Sequence, residues 1–392
     1  MSGPLQGVTV LEMANVITGP FAGMLLSDLG ADVTKVEMPG TGDVFRQWAG
    51  GEGTVSPPFA AFNRNKRSIT IDVKSQTGVD CYLRLAAGVD VVLENFRPGV
   101  LDRMGVGYDA VRAVNPEVVY CALSGMGQDG PDAARPTYDA IAQALSGFWS
   151  QLTEMSHPEP VGPPICDQLG GLYAAYGVLG ALFHRQQTGR GQRLDVSMLG
   201  AALGFQSIAI AGHSMQGATA DKMSRAKRSQ TYALQASDGR PLAIHLSTPD
   251  KFWRALAAAI ERPDLLDDPR FRTKADRIAH YDVLRAELEQ TFRGRTRQEW
   301  LDRLHAADVP AAPINTIGEA LDEPQVQHQR MVRTFGDGDE ALRLVGFPVS
   351  YHDTPCEPGR RPPKIGEHTD EVLRAAGLST EEIRHLHEQS AV

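Results

Sequence analysis

Over roughly its first 200 residues the chain alternates short β-branched runs with helical segments that glycine stops. This alternation restricts the available folds more than any other feature. Val8 to Leu11 reads as a buried strand, followed by the turn-rich segment NVITGP (15–20). Phe21 to Leu29 reads as a helix ended by Gly30, because glycine accepts the left-handed backbone of a helix end. A second strand at Ala31 to Glu37 closes a strand–helix–strand unit. Ser68 to Val73 and Val89 to Leu93 flank another helical segment ended by Gly88, and Val118 to Leu123 repeats the strand signal. Strands alternating with helices imply an α/β fold, a parallel sheet with helices on both faces. Ligands of such sheets lie beyond the carboxyl ends of the strands, where NVITGP and ENFRPG (94–99) belong.

The phosphate fingerprint GxGxxG is missing. After the first strand the chain reads NVITGPFAG and after the second EMPGTGD, which argues against a nicotinamide enzyme. From Tyr138 to about Ala211 the pattern becomes helical, with Leu172 to Gln187 the clearest run. A polar, basic stretch, ATADKMSRAKRSQ (218–230), precedes a different kind of segment. TYALQASDGRPLAIHL (231–246) has two short strands around Ser237-Asp238-Gly239, a hairpin signature. Thr296 and Glu299 form a capping box ahead of a helix, and Ser379 and Glu382 form another. A short strand is expected near Leu342 to Val349. The expected organisation is a large Rossmann-like domain over 1–211, a linker over 212–224 and a small α+β domain over 225–330. Residues 331–392 are too sparse for a core of their own and are expected to return to the large domain.

Charge and cysteine usage narrow the partners. With 39 Lys and Arg against 48 Asp and Glu, the net charge is −9, which argues against nucleic acid as a partner. The four cysteines, Cys81, Cys121, Cys166 and Cys356, are far apart and lack CxxC spacing, as suits reduced thiols rather than a disulfide framework or a zinc site. The opening MSGPLQGVTVLEM has no basic n-region or long apolar run of a signal peptide, and no stretch of about 18 apolar residues suggests a membrane span. The expected setting is the cytoplasm. No HExxH or related spacing points to a metal. GHSMQG (212–217) falls one residue out of register with GxSxG, which excludes a serine hydrolase on this motif.

Two segments carry the chemistry. In VGPPICDQLGGLYAAYG, Asp167 follows a Pro-Pro turn and opens a long apolar helix. It reads either as a first-turn aspartate serving free N–H groups and the helix dipole, or as a carboxylate nucleophile among small residues (Gly162, Gly170, Gly171). In ENFRPGVLDRMG, Asn95, Phe96 and Arg97 follow a strand end and Arg103 comes soon after. An aromatic face with two guanidinium groups suits an adenine ring and phosphates; the alternative is arginines in surface ion pairs.

Six ordered segments extend these readings: LQGVTVLEMANVITGPFAGMLLSDLGADVTKVEMPGTGD, FNRNKRSITIDVK, ENFRPGVLDRMGVGYD, VVYCALSGMGQDGP, GRGQRLDVSMLGAALG and TRQEWLDRLHAADVPAAPI. Together they resemble the class III CoA-transferase family over nearly the whole chain. The resemblance implies an acyl-CoA:carboxylate CoA-transferase acting on small organic acids, with Asp167 matching the catalytic aspartate and a covalent aspartyl intermediate. It implies that Val16, Asn95, Phe96, Arg97 and Arg103 line the site for coenzyme A, and that Ile71, Asp72 and Lys74 border it. Coenzyme A is then part of the substrate, no cofactor is tightly bound, and the partners are an acyl-CoA, a carboxylic acid and a second copy of the chain in an interlocked homodimer.

Some positions depart from formyl-CoA transferase, a member of the family. Met38 and Pro136 replace an arginine and a lysine, Ile17 a glutamine and Phe59 a tyrosine, and HLSTPDKF (245–252) stands where its glycine-rich loop belongs. These changes bear on an oxalate or formyl substrate rather than on coenzyme A. The family also contains racemases of 2-methylacyl-CoA, whose pattern places His before Asp. Here Tyr138 precedes Asp139, and the first histidine is His157. A phenol with a pKa of about 10 is a poor proton shuttle near neutrality, so Tyr138 is expected to donate a hydrogen bond to an acyl or carboxylate oxygen. Outside catalysis, the alternative is a CoA-binding protein in which Asp167 only caps a helix.

Overall fold

Parallel pairing of β-branched runs builds the larger part of the chain. The computed structural model describes residues 3–50, 55–247, 250–357 and 359–392. Six strands form one sheet: β1 (Thr9–Met13), β2 (Asp32–Glu37), β3 (Arg67–Thr70), β4 (Val91–Glu94), β5 (Val119–Ser124) and β6 (Arg193–Ser197). Their order is 3-2-1-4-5-6 and every neighbouring pair is parallel, so the sheet is doubly wound. Helices cover it: α1 (Thr18–Asp28), α2 (Pro57–Asn63), α3 (Gln76–Ala86), α4 (Val100–Arg103), α5 (Tyr108–Val114), α6 (Asp139–Leu145), α7 (Ile165–Thr188) and α8 (Met198–Phe205). All six residues of β5 are buried, as expected where both faces of a parallel strand are covered.

The two faces have separate cores. On one, Val10, Val33, Val91 and Leu93 pack under Leu26 of α1 and Val178 of α7. On the other, Leu11, Ile69, Val92 and Tyr120 meet Tyr82 of α3 and, from far along the chain, Leu373, Ile383 and Leu386. The last three come from helices Thr369–Ala375 and Thr380–Glu388, the second opened by the Ser379–Glu382 capping box. These helices are stitched to the sheet: the Asp72 N–H donates to the Ala391 carbonyl at 2.8 Å, and Arg84 pairs with Glu382 at 2.7 Å.

The chain forms two compact units, Met1–Phe148 with Gly162–Ser207 and Gln329–Val392, and Trp149–Val161 with Ile208–His328. The second contains an antiparallel sheet of β7 (Thr231–Gln235), β8 (Pro241–His245) and β9 (Ala311–Pro313), whose hairpin turn uses Gly239 at φ 75°. Its core gathers Tyr232, Leu242, Trp253, Leu288 and Phe292. The Thr296–Glu299 capping box opens helix Arg297–Ala306. Of HLSTPDKF, residues 248 and 249 lie outside the described residues, as do residues 1 and 2 of the opening segment. No described helix is long and apolar enough to cross a membrane.

Two local expectations need correction. The stretch from Tyr138 to Ala211 is not uniformly helical, because β6 lies within it. At the sheet's edge β6 is only partly covered and alternates Arg193 and Asp195 with Leu194 and Val196, a charged pattern that hides the strand. The first helix starts at Thr18, three residues before Phe21. Pro20 falls in its first turn, where a missing N–H breaks no helical bond.

Candidate active site

The strand order reverses between β1 and β4, and the loops leaving their carboxyl ends part there. Two asparagines span the gap. The Asn15 N–H donates to Asn95 Oδ1 at 2.9 Å, and Asn95 Nδ2 donates to the Asn15 carbonyl at 2.8 Å. Gly19 leaves room for the Asn95 side chain, since a Cβ there would stand 3.2 Å from Asn95 Cγ and 2.4 Å from the Ala14 Cβ. The next residue, Val16, has a left-handed backbone at φ 68°, and its N–H donates to Asp43 Oδ1 at 3.1 Å.

Beneath this loop lies a buried lattice of charges. Lys35 Nζ donates to the Ala14 carbonyl at 2.5 Å and pairs with Glu12 and Asp43 at 3.1 and 3.0 Å. Lys66 Nζ pairs with Glu12 at 2.7 Å and donates to the Pro20 carbonyl at 2.8 Å. Glu37 takes a two-pronged contact from Arg46 at 2.7 and 2.6 Å, a bond from Ser68 and another from the Asp43 N–H. Burial works against the charge on Lys35, but Asp43, Glu12 and Glu37 outweigh it and raise its pKa. Lys66 is brought down to about 8, by burial first. Taking such ions out of water costs several kcal/mol each, and only the mutual geometry offsets that.

Asp167 lies in the first turn of α7, 9% exposed. Its Oδ1 accepts a 2.5 Å hydrogen bond from the Thr18 hydroxyl on α1. It does not cap its own helix, because the first four N–H groups of α7 are engaged elsewhere. Ile165 donates to the Pro163 carbonyl at 2.8 Å and Gln168 to the Pro164 carbonyl at 3.2 Å. Cys166 and Asp167 both donate to Asp139 Oδ1, at 2.8 and 3.2 Å. Burial, reinforced by the nearby charge of Asp139 and opposed by the Thr18 bond, pushes the Asp167 carboxyl up to about 6. The α1–α7 contact that creates this pair depends on glycine: a Cβ on Gly171 would lie 2.6 Å from the Thr18 carbonyl.

The remaining residues singled out in the sequence fall into three groups. Val16, Asn95, Phe96 and Arg97 share the mouth between β1 and β4, and Arg103 at the end of α4 joins them, its guanidinium standing 3.1 Å from where a Gly99 Cβ would be. Arg97 and Arg103 are exposed, and neither pairs with a carboxylate among the described residues, contrary to the surface ion-pair alternative. Beyond β3, the Ile71 side chain is buried in the core, Asp72 accepts the Lys74 N–H at 3.0 Å, and Lys74 is exposed. Tyr138 immediately precedes α6 and is 71% exposed. Ile17 and Phe59, two of the departures, pack with Phe45 in an apolar cluster.

Sequence reasoning missed three residues. Thr18 and Asp139 reach Asp167 from 149 and 28 positions away, a proximity no local pattern encodes. Glu94 ends β4, and burial is the main reason its carboxyl rises to about 8. Its position inside ENFRPG was the available signal. Among the described residues no cluster of three His, Cys, Asp or Glu is arranged to hold a metal.

The sequence profile of CoA-transferase family III covers residues 5–369. The chain belongs to that family. An acetyl-CoA:oxalate CoA-transferase of Acetobacter aceti is 36% identical over 380 residues, 93% of this chain and 94% of its own. A succinyl-CoA:glutarate CoA-transferase of Homo sapiens is 33% identical over 377 residues, 95% of this chain and 85% of its own. A solved CaiB/BaiF family protein from Brucella suis has a TM-score of 0.87 at 32% identity, covering 96% of this chain and 100% of that one. As a class III CoA-transferase, the chain has its family match running from the first strand into the first of the two C-terminal helices that close the sheet.

Proposed function

We propose that this class III CoA-transferase moves coenzyme A between small organic acids through a covalent intermediate on Asp167. The observation that carries the reading is a buried carboxylate that serves no N–H of its own helix and is held by Thr18. An Asp167 oxygen attacks the thioester carbonyl of the donor, the C–S bond breaks, and CoA leaves as thiolate, giving a mixed anhydride. The thiolate attacks the Asp167 carboxyl carbon and releases the donor acid, leaving an aspartyl-CoA thioester. The acceptor carboxylate attacks the same carbon and expels CoA thiolate, which then takes the acceptor's acyl group and frees Asp167. Each step keeps the free energy of the thioester in a covalent bond, and no net proton is exchanged. Water must be excluded while the anhydride exists.

In this reading Arg97 and Arg103 meet the phosphates of CoA, and Phe96 lies beside the nucleotide. Val16, Asn95, Ile71, Asp72 and Lys74 complete the binding surface, and CoA is the only nucleotide needed. Two guanidinium groups that pair with no carboxylate among the described residues, beside an aromatic residue, support that assignment. Tyr138, exposed beside Asp139, donates a hydrogen bond to an acyl or acceptor oxygen. The names of the relatives support small mono- and dicarboxylates as substrates. The working unit is an interlocked homodimer, supported by the apolar side chains that α7 and α8 leave exposed, among them Tyr176 at 74% and Phe183 at 63%. Four free cysteines fit a cytoplasmic setting.

The test is chemical trapping. Mixed with succinyl-CoA and treated with borohydride or hydroxylamine, the protein should yield a peptide modified at Asp167, and Asp167→Ala should abolish both the adduct and CoA exchange. Adduct-free protein that still exchanges CoA would rule out the covalent route. Rapid deuterium incorporation at the α-carbon of a 2-methylacyl-CoA, without carboxylate exchange, would favour a racemase instead.

A further inference from the structure

The side chain that fixes the start of α7 comes from another helix. Pro164 precedes α7 and provides no side-chain acceptor, so the unpaired N–H groups of the first turn need partners from elsewhere. An aspartate at the third helical position would ordinarily bend back to them and gain from the positive end of the helix dipole. Here that place is taken. Asp139, the first residue of α6, accepts the N–H groups of both Cys166 and Asp167 on one oxygen. Its other oxygen accepts a 2.5 Å hydrogen bond from Nε2 of Gln143, a buried residue one turn along α6, which fixes the rotamer. Among the described residues, the carboxylate of Asp167 is left to Thr18 alone.

We propose that Asp139 is a positioning residue for Asp167. By filling the N-terminus of α7 it denies Asp167 the most stable resting place for its charge and keeps that carboxylate turned toward α1. The proposal rests on the reading of Asp167 as nucleophile and adds what makes it reactive. A carboxylate that is buried first of all, stripped of helix-end hydrogen bonds and set beside a like charge, is more basic than an ordinary aspartate and still ionised near neutrality. The groups packed around it agree. From α1 comes the Thr18 hydroxyl and from α6 the Asp139 carboxylate, while the neighbouring Cys166 of α7 packs in an apolar cluster with Ala142 and with Met198 of α8. The Cys166 thiol is pushed up to about 12 by burial, so Asp139 supplies the charge that Asp167 feels.

Titration of the Asp167 carboxyl decides this without reference to turnover. It can be followed by infrared difference spectroscopy of isotope-labelled protein, with Asp167→Ala assigning the band. In wild type the carboxyl should titrate near pH 6. In Asp139→Asn, which keeps an acceptor oxygen for the two N–H groups but no charge, it should titrate at lower pH. In Asp139→Ala the freed N–H groups should capture Asp167, lowering its titration further. With succinyl-CoA as donor and oxalate or glutarate as acceptor, that variant should lose kcat by on the order of a hundredfold with little change in KM for the thioester, as for a misplaced reacting group. An Asp167 that titrates unchanged in both variants would overturn the positioning role. Adduct trapping on the wild-type protein reads the nucleophile separately, so the two ideas fail on different results.

Discussion

Val16 keeps a β-branched residue in a left-handed backbone, a strain of about 1–3 kcal/mol that persists only where surrounding contacts over-determine it. Those contacts are the Asp43 oxygen on its N–H and the lysines that grip the carbonyls of Ala14 and Pro20 on either side. The strained residue is two positions from Thr18, so the same charges that hold the loop also aim the hydroxyl at Asp167. Asp167 has its own opposition to folding. In the unfolded chain it ionises near its ordinary 3.8, but in the folded protein near 6, mainly because it is buried. Between those values the unfolded chain has released a proton that the native one keeps, so rising pH favours unfolding. Stability from this group is complete below the lower value and is lost as pH climbs through the higher one. At about 1.4 kcal/mol per pH unit the loss approaches ~3 kcal/mol. Asp167→Asn should therefore match wild type in denaturant titrations at acid pH and become progressively more stable near neutrality. A difference that does not grow across that window would refute burial as the cause.

Among the elements, the pairing of α1 with α7 sets the distance between Thr18 and Asp167. Gly171 lets the helices meet, and Gly170 helps: a Cβ there would sit 2.9 Å from the Thr18 methyl. Gly171→Ala should force the helices apart, costing about 1–3 kcal/mol in unfolding experiments. It should also reduce kcat for CoA exchange more than KM, because the Thr18–Asp167 bond lengthens. The sequence made parts of this visible. GGLYAAYG announces a helix with a small-residue face, and the Pro-Pro turn marks where it begins, so Asp167 could be assigned to the first turn. Strands β1 and β4 and the loops after them were legible because β-branched runs stop abruptly at polar turns. What hid was long-range. Whether an aspartate in a first turn caps its helix depends on what else reaches those N–H groups, and Asp139, although the Tyr138-Asp139 pair stands out in the sequence, lies 28 positions from Asp167 with nothing local tying it to α7. Strand β6 was concealed by its charged, edge-exposed residues, and the burial of Glu94 follows from a covering that its own segment does not specify.

For the whole molecule, the exposed aromatic side chains of α7 lead to a definite expectation about assembly. Light scattering should give the mass of two chains, and the yield of refolded active protein should rise with chain concentration, since a dimer whose protomers interlock has no folded monomer to fall back on. A fully active single chain would refute this. The C-terminal helices carry a further consequence, one of timing. Leu373, Ile383 and Leu386 seal a face of the sheet whose strands lie within the first half of the chain and the residues just beyond it. On the ribosome, β1 to β6 emerge long before residues 369–391, so for most of synthesis that apolar face stands open to solvent and to other nascent chains. Removing those residues should leave a protein that binds hydrophobic dyes and aggregates when expressed, even with every residue around Asp167 present. A soluble, dye-negative truncation would contradict it. Such a chain places a premium on chaperones that hold it until its last helices arrive, and a codon-level pause shortly before residue 369 would lengthen its exposure rather than help it fold.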